Sequence, residues 1–285
     1  MKLKKISHFR STSSSVKFKL NCQDRVTEEW GTRGFLEILY KIQKQILIGH
    51  MKETKKDVIV KFENPSEIVA DYKISETLFN SKIPNFIKYY CTFSCNENTD
   101  RFEELDPEKH EHLCSKKGTK TGFIIMPYYP LGSVKNYKWT TANFHVLKNI
   151  ICQVIIAISS AFIKNGFVHG DLHMDNILLR KTKKKALYYN SFDITLYLDE
   201  MYAIVMDFGR SKLNSSYTSY MTSISTITAL LRDIGENSDI IIDAVPLYRY
   251  LSIMGNTTLD QKVIINLINI IDSLKIDYTK SSRSK

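Results

Sequence analysis

Two short polar segments in the second half of the chain carry residue types that suit phosphoryl transfer. The first is the loop from His169 to Asn176, in which Asp171 and Asn176 lie five residues apart, and the second is Asp207-Phe208-Gly209. Phosphoryl transfer requires a carboxylate near the attacking hydroxyl and oxygen ligands that hold Mg²⁺ on the phosphates. Asp171 can supply the carboxylate, whereas Asn176 and Asp207 can supply the metal ligands.

Apolar runs flank both segments and predict the elements that position them. Ile177-Leu178-Leu179 follows the first loop as a strand-like run, and 202–206 is typical of a buried strand that delivers Asp207 to its end. Upstream, apolar residues between Phe144 and Phe162 are spaced 3, 4, 3, 4 and 4, which predicts a helix with one buried face. Asn165-Gly166 is a stop signal for that helix.

The first half of the chain shows the patterns of β-structure. Strand-like runs occupy 35–40, 45–48 and 57–62, and 49–56 is polar enough for a hairpin turn. One amphipathic helix is predicted over 68–79, and two more strands over 86–93 and 122–129. The sequence therefore predicts an antiparallel, β-rich half followed by a helical half.

The two polar segments resemble the protein kinase superfamily, whose catalytic loop has the form His-X-Asp-four residues-Asn and whose metal-binding turn is Asp-Phe-Gly. The resemblance implies an α+β, two-lobed fold with a β-rich N-lobe and a shortened helical C-lobe, and it implies ATP and Mg²⁺ as cofactors. In such a fold Asp171 would orient the acceptor hydroxyl and accept its proton. Asn176 and Asp207 would hold the metal.

The resemblance extends upstream to a candidate phosphate-binding lysine. The run 57–61 looks like the family's third strand, so Lys61 would hold the α- and β-phosphates. Glu76 lies in the next predicted helix and looks like the glutamate that pairs with this lysine. Glu67 comes too early in that helix to fit as well.

An adenine pocket and the domain boundaries are also implied by the resemblance. The run 124–133 resembles the strand, hinge and loop that line the pocket, with Met126 at the gatekeeper position and Tyr128 beside it as nucleotide-binding residues. The predicted organisation is a mobile basic, Ser-rich arm over 1–28, an N-lobe over 29–130 with a polar insertion at 96–120, and a C-lobe over 131–285 that is truncated after the activation segment.

The chain departs from the family pattern at several places. Residues 39–44 contain no glycine where the family has its glycine-rich phosphate loop, which predicts a weaker grip on nucleotide. Gly170 replaces the arginine that engages a phosphorylated activation loop, and His173 replaces the lysine of serine/threonine kinases. No Ala-Pro-Glu or Asp-X-Trp follows Asp207, so 215–228 is interpreted as a polar activation loop leading into a helix near 227–231.

Three functions follow as expectations. A divergent serine/threonine protein kinase that transfers the γ-phosphate of ATP to a hydroxyl is favoured. A small-molecule kinase is the alternative, because Asp171-Leu172-His173 resembles antibiotic and related kinases and the helical lobe is short. A pseudokinase that binds partners without turnover is the third, because the glycines are missing. The partners expected are ATP and a protein or small-molecule substrate; nucleic acid is not favoured, and no membrane span is predicted.

Composition indicates the cellular location and the charge of the partners more than it indicates the function. The net charge of +10 favours anionic partners, and 43% hydrophobic residues are enough for a sizeable core. Five irregularly spaced cysteines argue against a secreted disulfide framework and predict reduced thiols in a soluble, cytoplasmic protein. The abundance of lysine, isoleucine and asparagine is typical of an AT-rich coding genome, such as that of a large DNA virus.

Overall fold

The computed structural model describes residues 36–43, 46–51, 55–94, 122–236, 240–254 and 258–276. The described residues divide into two compact units: those within 36–76 and 88–128 form a sheet unit, and those within 77–87 and 129–276 form a helical unit. The mobile arm predicted over 1–28 and the insertion predicted over 96–120 lie outside the described residues. The predicted α+β class is confirmed, with 45% helix and 24% strand, whereas the two-lobed kinase-like arrangement stays a prediction.

The sheet unit contains five antiparallel strands in the order β1-β2-β3-β5-β4. Its central strand alternates buried Val58 and Val60 with more exposed neighbours, as a strand packed on one face does. The strands are β1 Leu36–Gln43, β2 Ile46–Met51, β3 Lys56–Glu63, β4 Cys91–Ser94 and β5 Gly122–Pro127. The predicted antiparallel sheet is therefore confirmed.

Strands β1 and β2 are antiparallel neighbours in the sheet. Gln43 pairs with Ile46, so residues 44 and 45 lie between the two strands in sequence. Neither residue is a glycine. The glycines that the sequence lacks over 39–44 are therefore not supplied between these strands.

Helix α1, Pro65–Asn80, follows β3. Asn64 caps it, because its Oδ1 accepts a hydrogen bond from the Ser66 N–H (3.1 Å), and Pro65 suits the first helical position. The buried side chains include Ile68, Asp71, Ser75 and Leu78, spaced at three or four residues. A polar residue, Asp71, thus lies on the buried face.

Helix α2, Phe144–Asn165, is the central element of the helical unit. Nearly every residue of its first five turns is buried, and it packs on the strand Met201–Val205 and on two later helices. It ends as predicted at Gly166, whose φ of 58° is left-handed and whose N–H bonds to the Phe162 carbonyl (2.7 Å). Among the described residues one helix, Thr141–Asn165, is long and apolar enough to cross a membrane, but 78% of its most apolar window is buried inside the protein, as in a core helix.

Two small ladders and three further helices complete the helical unit. Strand β6 pairs with β9, and β7 pairs with β8, both antiparallel. The elements are β6 Ile177–Lys181, β7 Ala186–Tyr189, β8 Ile194–Tyr197, β9 Met201–Val205, α3 Tyr217–Glu236, α4 Val245–Ile253 and α5 Gln261–Ser273.

Helix α3 corrects the prediction for residues 215–228. The sequence predicted a polar loop leading into a helix near 227–231, yet the helix begins ten residues earlier, at Tyr217. Its hydroxyls bond to carbonyls three or four residues back, as Thr222 does to Thr218 (3.1 Å), so they fold onto the helix. The connection between Gly209 and α3 is therefore short.

A buried polar network fixes strand β9. The Asn85 side chain donates to Gln153 Oε1 (3.0 Å) and to the Ala203 carbonyl (2.8 Å), and it accepts from the Tyr189 hydroxyl (2.6 Å). Gln153 Oε1 also accepts from the Ala203 N–H (2.9 Å). A shift of β9 would leave these buried polar groups without partners, which is costly. The network therefore holds β9 in one register against Asn85 and Gln153.

The cysteines differ from the prediction of reduced thiols. Cys91 is disulfide-bonded, so the prediction is wrong for that residue. Cys152 is a free thiol buried in α2, and burial raises its pKa far above the ordinary value. A buried protonated thiol behaves as a small apolar side chain.

Candidate active site

The register of the β6–β9 ladder brings the two polar segments together. Ile177 pairs with Val205, so the residue before β6 and the residue after β9 leave the ladder at the same end. The Met206 N–H donates to the Asn176 carbonyl (3.0 Å) and extends the ladder by one bond. Asn176 and Asp207, predicted as metal ligands, therefore lie at one edge of the helical unit.

The Asn176 side chain is held with its oxygen available. Its amide nitrogen donates to the Asp171 carbonyl (2.9 Å) and to His173 Nε2 (3.0 Å), which uses both of its hydrogens. Within the ranges that the structure describes, Asn176 Oδ1 accepts no hydrogen bond. An oriented amide oxygen with unused lone pairs is a suitable ligand for a hard cation.

The turn that carries Asp207 is strained and supported by packing. The φ of Asp207 is +65°, in the left-handed region that a residue with a side chain rarely adopts. The next residue, Phe208, is fully buried, and its ring lies 5.9 Å from the rings of His169 and Phe167 and 6.0 Å from that of Phe86. This aromatic cluster anchors the turn, so the Asp207 backbone is kept in its unusual conformation.

His169 is a buried, neutral support for the site. Its Nε2 must donate to the Met206 carbonyl (2.9 Å), since a carbonyl only accepts, and its Nδ1 accepts from the Asp171 N–H (3.4 Å). Burial lowers the pKa of His169, against smaller opposing effects of the Met206 hydrogen bond and the nearby carboxylates. One neutral imidazole thus connects the two polar segments.

Asp171 presents an accessible carboxylate. Its side chain is 41% exposed, and its Oδ2 lies 3.7 Å from Nη1 of Arg210. Gly170 precedes it with a φ of +75°, and a Cβ added there would collide with the Arg210 carbonyl oxygen. The sequence identified Gly170 as a missing arginine; the structure adds that only glycine fits this backbone.

His173 is a positioning residue in the same loop. It directly precedes the short 3₁₀ turn of Met174–Asn176, and its Nε2 accepts a hydrogen bond from the Asn176 amide (3.0 Å). Nearby, Asp175 pairs with Lys135 (2.9 Å) on the exposed side of the loop. The histidine that marked the small-molecule alternative in the sequence therefore helps to aim Asn176.

Lys61, in the sheet unit, lies among carboxylates, but its helical neighbour is not the predicted one. Its Nζ lies 3.2 Å from Glu63 Oε2 and 4.0 Å from Oδ2 of Asp71, which is 1% exposed. Asp71 Oδ1 accepts from the Tyr89 hydroxyl (2.9 Å). Glu76 is exposed and accepts from the Tyr72 hydroxyl (3.4 Å).

The structure therefore places Asp71, not Glu76, on the helix face that approaches Lys61. The reason is helical periodicity: Asp71 is three residues after buried Ile68 and four before buried Ser75, whereas Glu76 points away from that stripe. Burial, followed by the charge and the hydrogen bond of Glu76, raises the pKa of Tyr72. The three- and four-residue spacing from Ile68 through Asp71 to Ser75 is a sequence signal for this burial, whereas separation in sequence from Lys61 favours Glu76.

The predicted adenine-pocket residues lie at the end of β5. Met126 is buried within the strand, and its Cα pairs with that of Ile59. Tyr128 follows the strand, and its N–H donates to the Asp57 carbonyl (3.3 Å). Both lie in the sheet unit with Lys61, and their role in nucleotide binding stays a prediction.

Comparison with known proteins agrees with the kinase-like features. Residues 113–233 match the family model described as the ABC1 atypical kinase-like domain, which covers less than half of the chain but includes Asp171, Asn176 and Asp207. The predicted resemblance to the protein kinase superfamily is confirmed by this match, at the level of a divergent member. An uncharacterized protein of Caenorhabditis elegans is 33% identical over 75 residues, which is 26% of this chain and 25% of that protein. The matched segment thus spans about a quarter of the relative's length.

The donor set at the ladder edge fits Mg²⁺. Within the residues described, no group of three or more His, Cys, Asp or Glu side chains is placed to hold a metal ion. Mg²⁺ does not need such a cage, since it keeps several waters and takes one or two protein oxygens together with substrate phosphates. The free Asn176 oxygen and the Asp207 carboxylate meet that requirement.

Proposed function

We propose that this protein is an ATP- and Mg²⁺-dependent phosphotransferase and that its acceptor is the hydroxyl of a small molecule. The observation that carries the proposal is the common edge from which Asn176 and Asp207 emerge, with the accessible carboxylate of Asp171 on the same loop. The match to an atypical kinase-like family supports the same reaction class.

The chain's own residues have separate tasks in this proposal. Asp171 hydrogen-bonds to the acceptor hydroxyl, orients it and accepts its proton as the oxygen attacks. Asn176 and Asp207 hold the metal through oxygen atoms, and His169 and His173 keep the loop in shape. When bound, Mg·ATP supplies the γ-phosphoryl group and the neutralisation of its charge.

A separate proposed pair, Lys61 and Asp71, lies within the sheet unit. Lys61 binds the nucleotide phosphates, and the carboxylates of Glu63 (3.2 Å) and of buried Asp71 (4.0 Å) hold its ammonium group in place. This assignment replaces Glu76, the partner predicted from the sequence.

The short connection before α3 favours a small acceptor over a protein. Only residues 210–216 lie between Gly209 and the start of α3 at Tyr217. An extended substrate peptide is usually bound along a longer segment at this place, and the described residues offer none. The function favoured by sequence alone, transfer to a protein serine or threonine, is the second candidate because the spacing from His169 to Asn176 resembles that of protein kinases.

The experiment that tests the proposal offers several acceptors to one enzyme. Purified protein is incubated with γ-labelled Mg·ATP and either a pool of small hydroxylated metabolites or a generic basic protein. We expect label on a metabolite. Label on the basic protein alone would favour the second candidate, and ATP binding without any transfer would favour the pseudokinase that the missing glycines allow.

Asp71 is expected to matter for nucleotide binding where Glu76 does not. Asp71→Asn keeps the volume and can keep the bond to Tyr89, but it removes a buried negative charge 4.0 Å from the Lys61 ammonium. We expect ATP affinity to fall about tenfold, as for loss of a charge-assisted contact, while Glu76→Gln stays at wild-type affinity. Isothermal titration with Mg·ATP measures both, and equal affinities for the two variants would restore Glu76 as the candidate.

A further inference from the structure

Arg210, the residue after Gly209, lies beside the proposed proton acceptor with its hydrogen-bonding capacity unused. Its guanidinium Nη1 is 3.7 Å from Asp171 Oδ2, beyond hydrogen-bond distance, and its side chain is 76% exposed. Within the described ranges Arg210 makes no side-chain hydrogen bond. Five N–H donors in a planar fork therefore face solvent next to Asp171.

The backbone fixes this placement. Val168 and Lys212 exchange two backbone hydrogen bonds of 2.9 Å, and the Ser211 hydroxyl donates to the His169 carbonyl (2.8 Å). Gly170 has no side chain, so the Arg210 carbonyl can approach it closely. The two residues that follow Arg210 are thus bonded to the start of the catalytic loop, and the position of the Arg210 backbone follows from the fold.

An exposed ion pair explains little of this arrangement. Two exposed charges at this separation contribute little to the stability of a protein, because water and salt screen them. The same pair has a clear use when an anion arrives, because an anionic acceptor is repelled by the Asp171 carboxylate and needs a cation beside it. The guanidinium fork matches a phosphate or carboxylate in two-point geometry.

We infer that Arg210 is a specificity-determining residue that binds an anionic group, a phosphate or a carboxylate, on the acceptor molecule whose hydroxyl faces Asp171. The inference rests on the proposed function and names its substrate class: small hydroxylated anions. The acceptor hydroxyl and its anionic group lie close enough together to reach Asp171 and Arg210 at once.

The first test measures anion binding without turnover. Phenylglyoxal modifies exposed arginines, and peptide mass spectrometry gives the rate at Arg210 with and without glycerol 3-phosphate, in the presence of saturating Mg²⁺ and a non-hydrolysable ATP analogue. Arg232 is a matched control, since it is 71% exposed and 3.7 Å from Asp233. We expect glycerol 3-phosphate to slow modification of Arg210 at least about threefold and glycerol to have no effect, with Arg232 unchanged. Equal rates with both compounds, or complete protection by the nucleotide analogue alone, would overturn the inference.

The second test compares acceptors in pairs that differ in charge. Transfer is measured with glycerol and glycerol 3-phosphate, and with glucose, gluconate and glucose 6-phosphate. Arg210→Ala is expected to raise KM for the anionic members about tenfold or more with little change in kcat, Arg210→Lys to restore part of the loss, and Arg232→Ala to behave as wild type. A wild-type enzyme that prefers the neutral members, or an Arg210→Ala variant with unchanged KM, contradicts the inference.

The two tests separate failure of the inference from failure of the proposed function. Protection of Arg210 with no transfer to any acceptor would contradict the proposed kinase activity but support an anion site at Arg210. Transfer to neutral acceptors without protection of Arg210 from phenylglyoxal would support the proposed kinase activity and contradict the role of Arg210.

Discussion

Replacing Asp171 with asparagine is expected to lower phosphoryl transfer about 100-fold to 10,000-fold, the range of a lost general base. The amide has the same shape but cannot accept the proton of the acceptor hydroxyl. The Asn176 amide bonds to the backbone carbonyl of residue 171, so the substitution leaves that bond in place. Steady-state turnover with γ-labelled Mg·ATP measures the loss, and titration with Mg·ATP should show nearly unchanged affinity.

Asp175→Asn is the matched control for this loss. Asp175 lies on the same loop, is 44% exposed and pairs with Lys135, so its replacement changes the local charge equally. We expect near wild-type turnover from it. If Asp171→Asn and Asp175→Asn lose turnover to the same extent, the assigned role of Asp171 is wrong and the effect is one of loop charge.

Replacing Gly170 with alanine is expected to destabilise the protein by about 2–4 kcal/mol and to remove transfer with it. Two costs combine: the φ of +75° is unfavourable for any residue with a side chain, and the new Cβ collides with the Arg210 carbonyl oxygen. Urea denaturation of the purified variant measures the free energy of unfolding. Relief of the collision would move Arg210 or the catalytic loop, so a folded fraction should also have low turnover.

Two other glycines separate these costs. Gly132 has a φ of +69°, but its added Cβ would meet nothing closer than 3.6 Å, so Gly132→Ala should show the conformational cost alone, about 1 kcal/mol. Gly209 has neither problem, since its Cβ would lie 3.7 Å from Asp207 Oδ1 and its φ is not positive, and Gly209→Ala should be nearly neutral for stability. A Gly170→Ala variant as stable as Gly132→Ala would show that the loop relaxes freely.

The elements that hold the site could be predicted because their patterns are strong. The apolar stripe of α2 ends at the stop signal of Gly166, and the apolar runs near Asp171 and Asp207 end at turn signals. In each case the hydrophobic period and the boundary signal predict the same element. The loop and turn motifs then identified Asp171, Asn176 and Asp207 by chemistry alone. The structure adds the reason that they belong together, which is the β6–β9 register.

Two predictions are wrong, and in both the local sequence pattern does not by itself show which side chains are buried. Distance in sequence from Lys61 predicts Glu76 as its partner, although Asp71 continues the stripe from Ile68 and has the buried carboxylate. Residues 215–228 were interpreted as a loop because of their serines and threonines, yet Tyr220, Ile224 and Ile227 already had helical spacing. Hydroxyl side chains that bond back to the helix make such a segment helical.

Contacts distant in sequence could not be predicted at all. Nothing in the local pattern indicates that Asn85 bonds to Gln153 and Tyr189, or that Arg210 reaches Asp171. These contacts depend on which chain segments lie side by side, and a single sequence carries no direct signal of it.

The most direct test of the central claim is Mg²⁺-dependent ATP binding by the wild-type protein and by Asp207→Asn, because it requires no knowledge of the acceptor. Asparagine tolerates a left-handed backbone better than other residues with a side chain, so the variant should fold at a φ of +65° while losing the charge that holds the metal. We predict that ATP binds the wild-type protein at least about tenfold more tightly with Mg²⁺ than with EDTA, and that Asp207→Asn loses most of this difference. ATP binding that is equal with and without Mg²⁺, or an unchanged Mg²⁺ dependence in Asp207→Asn, would contradict a metal–nucleotide site at the end of β9.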